Sequence, residues 1–119
     1  MTLLPPLLIL SVSAVLGIFL GVFYLRGVRK PVLIGFHFLL GAGAMETTAV
    51  VLHGAPNGEA ATGVSLGNVV LALLAAALLT GLGTALLHAK RNVTVMMLIG
   101  HGGIGLVAFA LVCVWAFRS

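Results

Sequence analysis

A chain of 119 residues that is 61% hydrophobic and 7% charged, with a mean hydropathy of +1.29, cannot cover a water-facing surface, so a soluble domain is excluded. The net charge of +4 does not mark a nucleic-acid binder, because Arg26, Arg29, Lys30, Lys90 and Arg91 fall in two short loops, the placement that sets membrane orientation, with no basic–aromatic interleaving around them. The single cysteine, Cys113, excludes an internal disulfide and reads as a packing residue.

Four apolar stretches reach the length of about 20 residues that a helix needs to cross a bilayer. The first covers residues 3–25 and carries Pro5 and Pro6 in its first turn, where a missing N–H costs little. It has no basic leader and runs on too far for a signal peptide, so it reads as a retained span. A tight basic turn, 26–30, leads to the second span, 31–53, which opens on Pro31 and contains His37 and Glu46. Residues 54–65 form a longer loop with Gly, Pro and Asn turn residues and the acidic Glu59. The third span, 66–88, ends at His88; a second tight basic turn, 89–92, leads to the fourth, 93–117.

The expected fold is all-α: a four-transmembrane-helix up-down bundle of two similar hairpins, with residues 1–119 forming one integral membrane domain. The basic turns belong on the cytoplasmic side, and both termini and the long loop on the other face. Arg118 is the one dissenting charge. The bacterial inner membrane is the expected location. Tyr24 and Trp115 fall near the interfaces, as amphipathic aromatics do.

Spans two and four share a pattern. His37, Gly41 and Ala44 repeat as His101, Gly105 and Ala108, in both cases His-x-x-x-Gly-x-x-Ala beyond a basic turn. Offsets of four and seven return to one helix face, so each imidazole stands at the head of a stripe of small residues, which Thr48 extends in span two. The rise of 1.5 Å per residue puts His37 about 10 Å beyond Lys30 and His101 about 15 Å beyond Arg91. Two imidazoles at similar depth on diagonal helices suit the axial positions of one haem iron. On that reading His37 and His101 are the ligands, Gly41, Ala44, Gly105 and Ala108 line the macrocycle, and Arg29, Lys90 and Arg91 meet the propionates. His88 is an alternative ligand. A second haem would need two ligands near the other face, where only His53 stands, so one haem b per chain is expected. Without Cys-x-x-Cys-His, covalent attachment is not indicated. The alternative is plain packing, with small residues at a helix contact and each imidazole bonded to a neighbouring carbonyl. Two histidines are a thin shell for zinc. Met96 and Met97 before His101 leave a His–Met site open, although methionine there is more often packing.

Glu46 is the one acid inside a span, nine positions past His37 and so on roughly the opposite face. With Thr47 and His53 it marks a proton path or a quinone pocket. The alternative is a protonated carboxyl bonded to a neighbouring helix or a partner subunit. His53 and His88 otherwise read as interface residues. The chain has no Walker loop and no Asp for a Ser-His-Asp constellation.

His37 with Gly41, His101 with Gly105, and the basic turns give a chain that resembles the membrane cytochromes b, including the cytochrome b561-like group. The resemblance covers spans two and four. It implies single-electron transfer involving a quinol, another redox subunit or a small oxidant, as a membrane oxidoreductase or electron-transfer subunit. That family holds two haems between two histidine pairs, and the second pair is missing here. In outline the chain also resembles the small multidrug-resistance transporters, with Glu46 as proton carrier, but their glutamate belongs to the first span. A non-catalytic subunit of a respiratory or photosynthetic complex, or a homo-oligomer, is the remaining expectation.

Overall fold

The computed structural model describes residues 3–53, 65–87 and 90–118. These form four helices: α1 (Leu4–Leu25), α2 (Pro31–His53), α3 (Leu66–Leu86) and α4 (Arg91–Arg118). All four are long and apolar enough to cross a membrane. Prolines begin two of them as the sequence suggests, with Pro5 and Pro6 in the first turn of α1 and Pro31 at the head of α2. Ser65 caps α3 by accepting the backbone N–H of Asn68 at 3.1 Å. Gly27 turns the chain between α1 and α2 at a φ of 73°, a left-handed conformation that glycine adopts without steric cost.

Two boundaries differ from expectation. α3 stops at Leu86, because Leu87 leaves the helix with an extended backbone; His88, the alternative ligand, lies outside the described residues. α4 starts at Arg91 and continues through Arg118. Its polar ends extend the backbone ladder past the apolar stretch that marked the span.

α1 packs mainly on α2 and α4, and α3 on the same two helices. The inside of this arrangement is built from small or mildly polar residues: Ser13, Ala44, Thr48, Ala77, Thr84, Thr94 and Ala108 are all buried. The outside carries the bulk, with Val32, Met96 and Phe117 largely exposed. Helix hydroxyls are satisfied within their own helix: Ser11, Thr48 and Thr84 donate to the carbonyls of Leu7, Ala44 and Thr80 at 2.6–2.8 Å. Among the described residues no buried side-chain polar atom lacks a partner.

At the end away from the tight turns, Leu52, Val70, Val112 and Trp115 fill the core. A Cβ on Gly67 would lie 2.6 Å from Leu52 and 2.9 Å from Trp115, so glycine is what lets α3 close on them. Trp115 is 6% exposed. It packs inward, where its position near a span end had suggested an interfacial ring; the room left by Gly67 accounts for the difference.

Two arginines tie the halves of the chain together. Arg29, before α2, donates from Nη2 to the carbonyl of Ala85 near the end of α3. Arg91, opening α4, donates from Nη2 to the carbonyl of Leu25 at the end of α1, at 2.9 Å. The last carbonyls of a helix have no partner within it and sit at the negative end of its dipole, so guanidinium is well suited to both positions.

Candidate functional site: a facing pair of imidazoles

His37 on α2 and His101 on α4 approach each other across the bundle. Their ring centroids are 5.9 Å apart and their planes lie at 89°. Both residues are half-buried. α2 and α4 present this face inward because Ala44 and Ala108, seven positions further on, are fully buried and leave no side-chain bulk between the helices.

Each ring is held by the helix that precedes it in the chain. Nδ1 of His37 lies 2.9 Å from the carbonyl oxygen of Ser13 and 3.2 Å from its hydroxyl. Nδ1 of His101 lies 2.8 Å from the carbonyl oxygen of Ala77 and 3.3 Å from the Thr80 hydroxyl. A carbonyl oxygen can only accept, so Nδ1 must carry the proton in both rings. Thr80 donates to the carbonyls of Ala76 and Ala77 and so turns a lone pair to His101. In the neutral tautomer that carries Nδ1–H, Nε2 is a lone-pair nitrogen. Among the described residues neither Nε2 has a hydrogen-bond partner.

Glycine makes room for both rings. A Cβ on Gly17 of α1 would stand 2.8 Å from Cε1 of His37, and a Cβ on Gly81 of α3 would stand 2.7 Å from Cε1 of His101. The two halves match in register: His37 and His101, Ser13 and Ala77, and Gly17 and Gly81 are each 64 positions apart. The repeat seen in α2 and α4 thus extends to the helices that hold the rings. Ser13, Gly17, Thr80 and Gly81 were not singled out from the sequence. Shifting the chain by those 64 positions would have aligned Gly17 with Gly81.

The other candidates lie elsewhere. Gly41 and Gly105 stand one turn beyond the histidines and are half-buried; a Cβ on Gly41 would touch only Leu78, at 3.8 Å, and one on Gly105 would meet nothing within 4 Å. Glu46 and His53 are exposed on the outside of α2, away from the rings. Thr47 bonds back to the carbonyls of Gly43 and Ala44. Met96 faces outward and Met97 lies beside Gly83. Arg29 and Arg91 each commit an Nη2 to a helix end, and Lys30 stands 5.5 Å from the centre of the Phe23 ring. Lys90 is exposed.

The donor set bears on what the pair can hold. An imidazole tied by Nδ1–H to a carbonyl, with Nε2 open, is how proteins fix a metal-ligating histidine. Among the described residues no cluster of three or more His, Cys, Asp or Glu is present, so a site made wholly of side chains, such as tetrahedral zinc, is not built here. A macrocycle that brings its own four equatorial nitrogens needs only two protein ligands. The two imidazoles, 5.9 Å apart from centre to centre in an edge-to-face arrangement, are the residues that would hold such a group. Edge-to-face packing of two bare rings covers the same spacing, and the carbonyl bonds agree with plain packing too. Neither Nε2 is a buried orphan, since no buried side-chain polar atom among the described residues lacks a partner; both are open to an incoming group. No known protein family, curated protein or solved structure matches the chain.

Proposed function

We propose that the chain is a four-span integral membrane protein, an up-down bundle that holds one b-type haem between His37 and His101 and passes single electrons. A bulky apolar exterior around a small-residue interior supports insertion, since a lipid-facing surface has no need of charge. The observation that carries the haem is the imidazole pair: both Nδ1 atoms engaged, both Nε2 atoms unpartnered, ring centres 5.9 Å apart.

When bound, the haem supplies exchange between ferrous and ferric iron. The protein's part is to bind, orient and tune. The carbonyls of Ser13 and Ala77 hold the rings in the Nδ1–H tautomer and raise the basicity of Nε2. Gly17 and Gly81 let both rings lie close against α1 and α3. Gly41, Ala44, Gly105 and Ala108 keep side-chain volume low along the ligand-bearing faces. Arg29, Lys90 and Arg91 give the turns a positive potential suited to propionates. The electron partner is a quinone or another redox subunit. With the turns cytoplasmic, both termini lie outside.

The test is the absorption spectrum of protein purified from haem-replete cells. The reduced-minus-oxidised difference should show sharp α and β bands, lost in His37→Ala and in His101→Ala. Colourless protein that takes up no haem on reconstitution would reject the proposal.

A further inference from the structure

The turn end of the bundle holds a feature that the imidazole pair does not use. A cleft of about 260 Å³ opens between the end of α1 and the start of α4, lined by Tyr24, Leu25, Gly27, Arg91, Thr94 and Val95. Five cations, Arg26, Arg29, Lys30, Lys90 and Arg91, belong to this end. The chain has two acids, Glu46 and Glu59. Glu46 lies about two-thirds of the way along α2, about 22 Å beyond Pro31 at 1.5 Å per residue, and Glu59 is outside the described residues. Among the described residues, then, no carboxylate offsets the cations here. Topology alone asks for positive charge, but it does not ask for a cleft among the charges.

We propose that this cleft binds the phosphate headgroup of an anionic phospholipid. Arg91 is the principal contact. Its bond to the carbonyl of Leu25 occupies one Nη2 and fixes the guanidinium at the cleft wall, so less side-chain freedom is lost on binding. Tyr24, beside Leu25, also lines the cleft and brings a phenol to it. The positive end of the α4 dipole adds to the field, since Arg91 and Thr94 belong to its first turn. The site rests on the membrane insertion proposed above, which puts the end of the span at headgroup depth, where basic pockets between membrane helices take up such lipids. Free phosphate shares the chemistry but lacks the acyl chains that would lie along the exposed Leu25 and Val22 of α1.

The test uses the full-length protein in nanodiscs of phosphatidylcholine carrying a small fraction of labelled phosphatidylglycerol, with bound lipid read by native mass spectrometry. Retention of phosphatidylglycerol over phosphatidylcholine is expected. Arg91→Gln should weaken it about fivefold, the worth of one basic residue at a membrane surface. Tyr24→Phe, which removes a single hydroxyl, should weaken it about threefold and carries the test if the arginine variant does not fold. Lys30→Gln, at the same end but outside the cleft, should have a clearly smaller effect, and Arg118→Gln none. Equal retention of the two lipids, or an effect of Lys30→Gln matching that of Arg91→Gln, would overturn the site. Inorganic phosphate saturating the cleft in pure phosphatidylcholine discs, with no gain from phosphatidylglycerol, would overturn the lipid assignment. Because the readout is bound lipid, the result stands apart from haem content, and the same measurement on His37→Ala should be unchanged.

Discussion

Gly17 lies directly against the imidazole of His37, so close that a single added carbon would come within 2.8 Å of Cε1. The same relation joins Gly81 to His101 at 2.7 Å. Both contacts are to a ring whose Nδ1 is anchored, so neither ring can swing away without giving up a carbonyl bond. Gly17→Ala and Gly81→Ala should each cost about 1–3 kcal/mol, the usual range for overpacking. Thermal unfolding in detergent measures the loss. If the rings are ligands, both variants should also lose or broaden the haem α band, which a substitution at Gly21, where a Cβ would meet nothing within 4 Å, should not do.

Ser13 and Thr80 test the second contact on each ring. Their hydroxyls lie at 3.2 and 3.3 Å, longer than the carbonyl contacts at 2.9 and 2.8 Å. Ser13→Ala and Thr80→Val leave the carbonyls in place. Each should cost no more than about 1.5 kcal/mol and should retain the bound group. The reduction potential, followed by spectroelectrochemistry, should nonetheless move in both, because hydrogen bonding at Nδ1 sets the donor strength of Nε2. A potential unchanged in both variants would count against a role for these hydroxyls.

Gly67→Ala probes the far end of the bundle. Its Cβ would collide with Leu52 and with the Trp115 ring, both of which are in the core. The expected loss is again about 1–3 kcal/mol, accompanied by a red shift of Trp115 fluorescence as the ring loosens. The spectrum of any group between the histidines should stay as it is.

Glu46→Gln separates electron transfer from proton-coupled transport. Glu46 is exposed on α2 and takes no part in holding either ring. The substitution should change stability by less than about 0.5 kcal/mol and leave the difference spectrum intact. Proton-driven uptake in proteoliposomes that vanishes with this one change would instead support the transport reading.

The four helices were legible because apolar length is a strong signal and Pro5, Pro6 and Pro31 mark two starts. The meeting of His37 and His101 was legible from their matched motifs and depth. Their partners were not. Ser13 and Ala77 act through backbone carbonyls, which every residue has, so side-chain identity says nothing about which one an imidazole will find. Gly17 and Gly81 are two among 16 glycines, and only the register of the repeat sets them apart. The charge of Arg29, Lys90 and Arg91 suggests propionate partners; the bonds of Arg29 and Arg91 to the ends of α3 and α1 depend on which helices are neighbours, which local sequence does not state.

Those two crossed arginine bonds have a mechanical effect. Arg29, before α2, grips the end of α3, and Arg91, on α4, grips the end of α1, so axial sliding of one half of the chain past the other would stretch both bonds together. A slip of one helical turn, about 5.4 Å, would carry His37 and His101 off a common level. The arginines therefore act as a paired clasp at one end that keeps two nitrogens aligned several turns away.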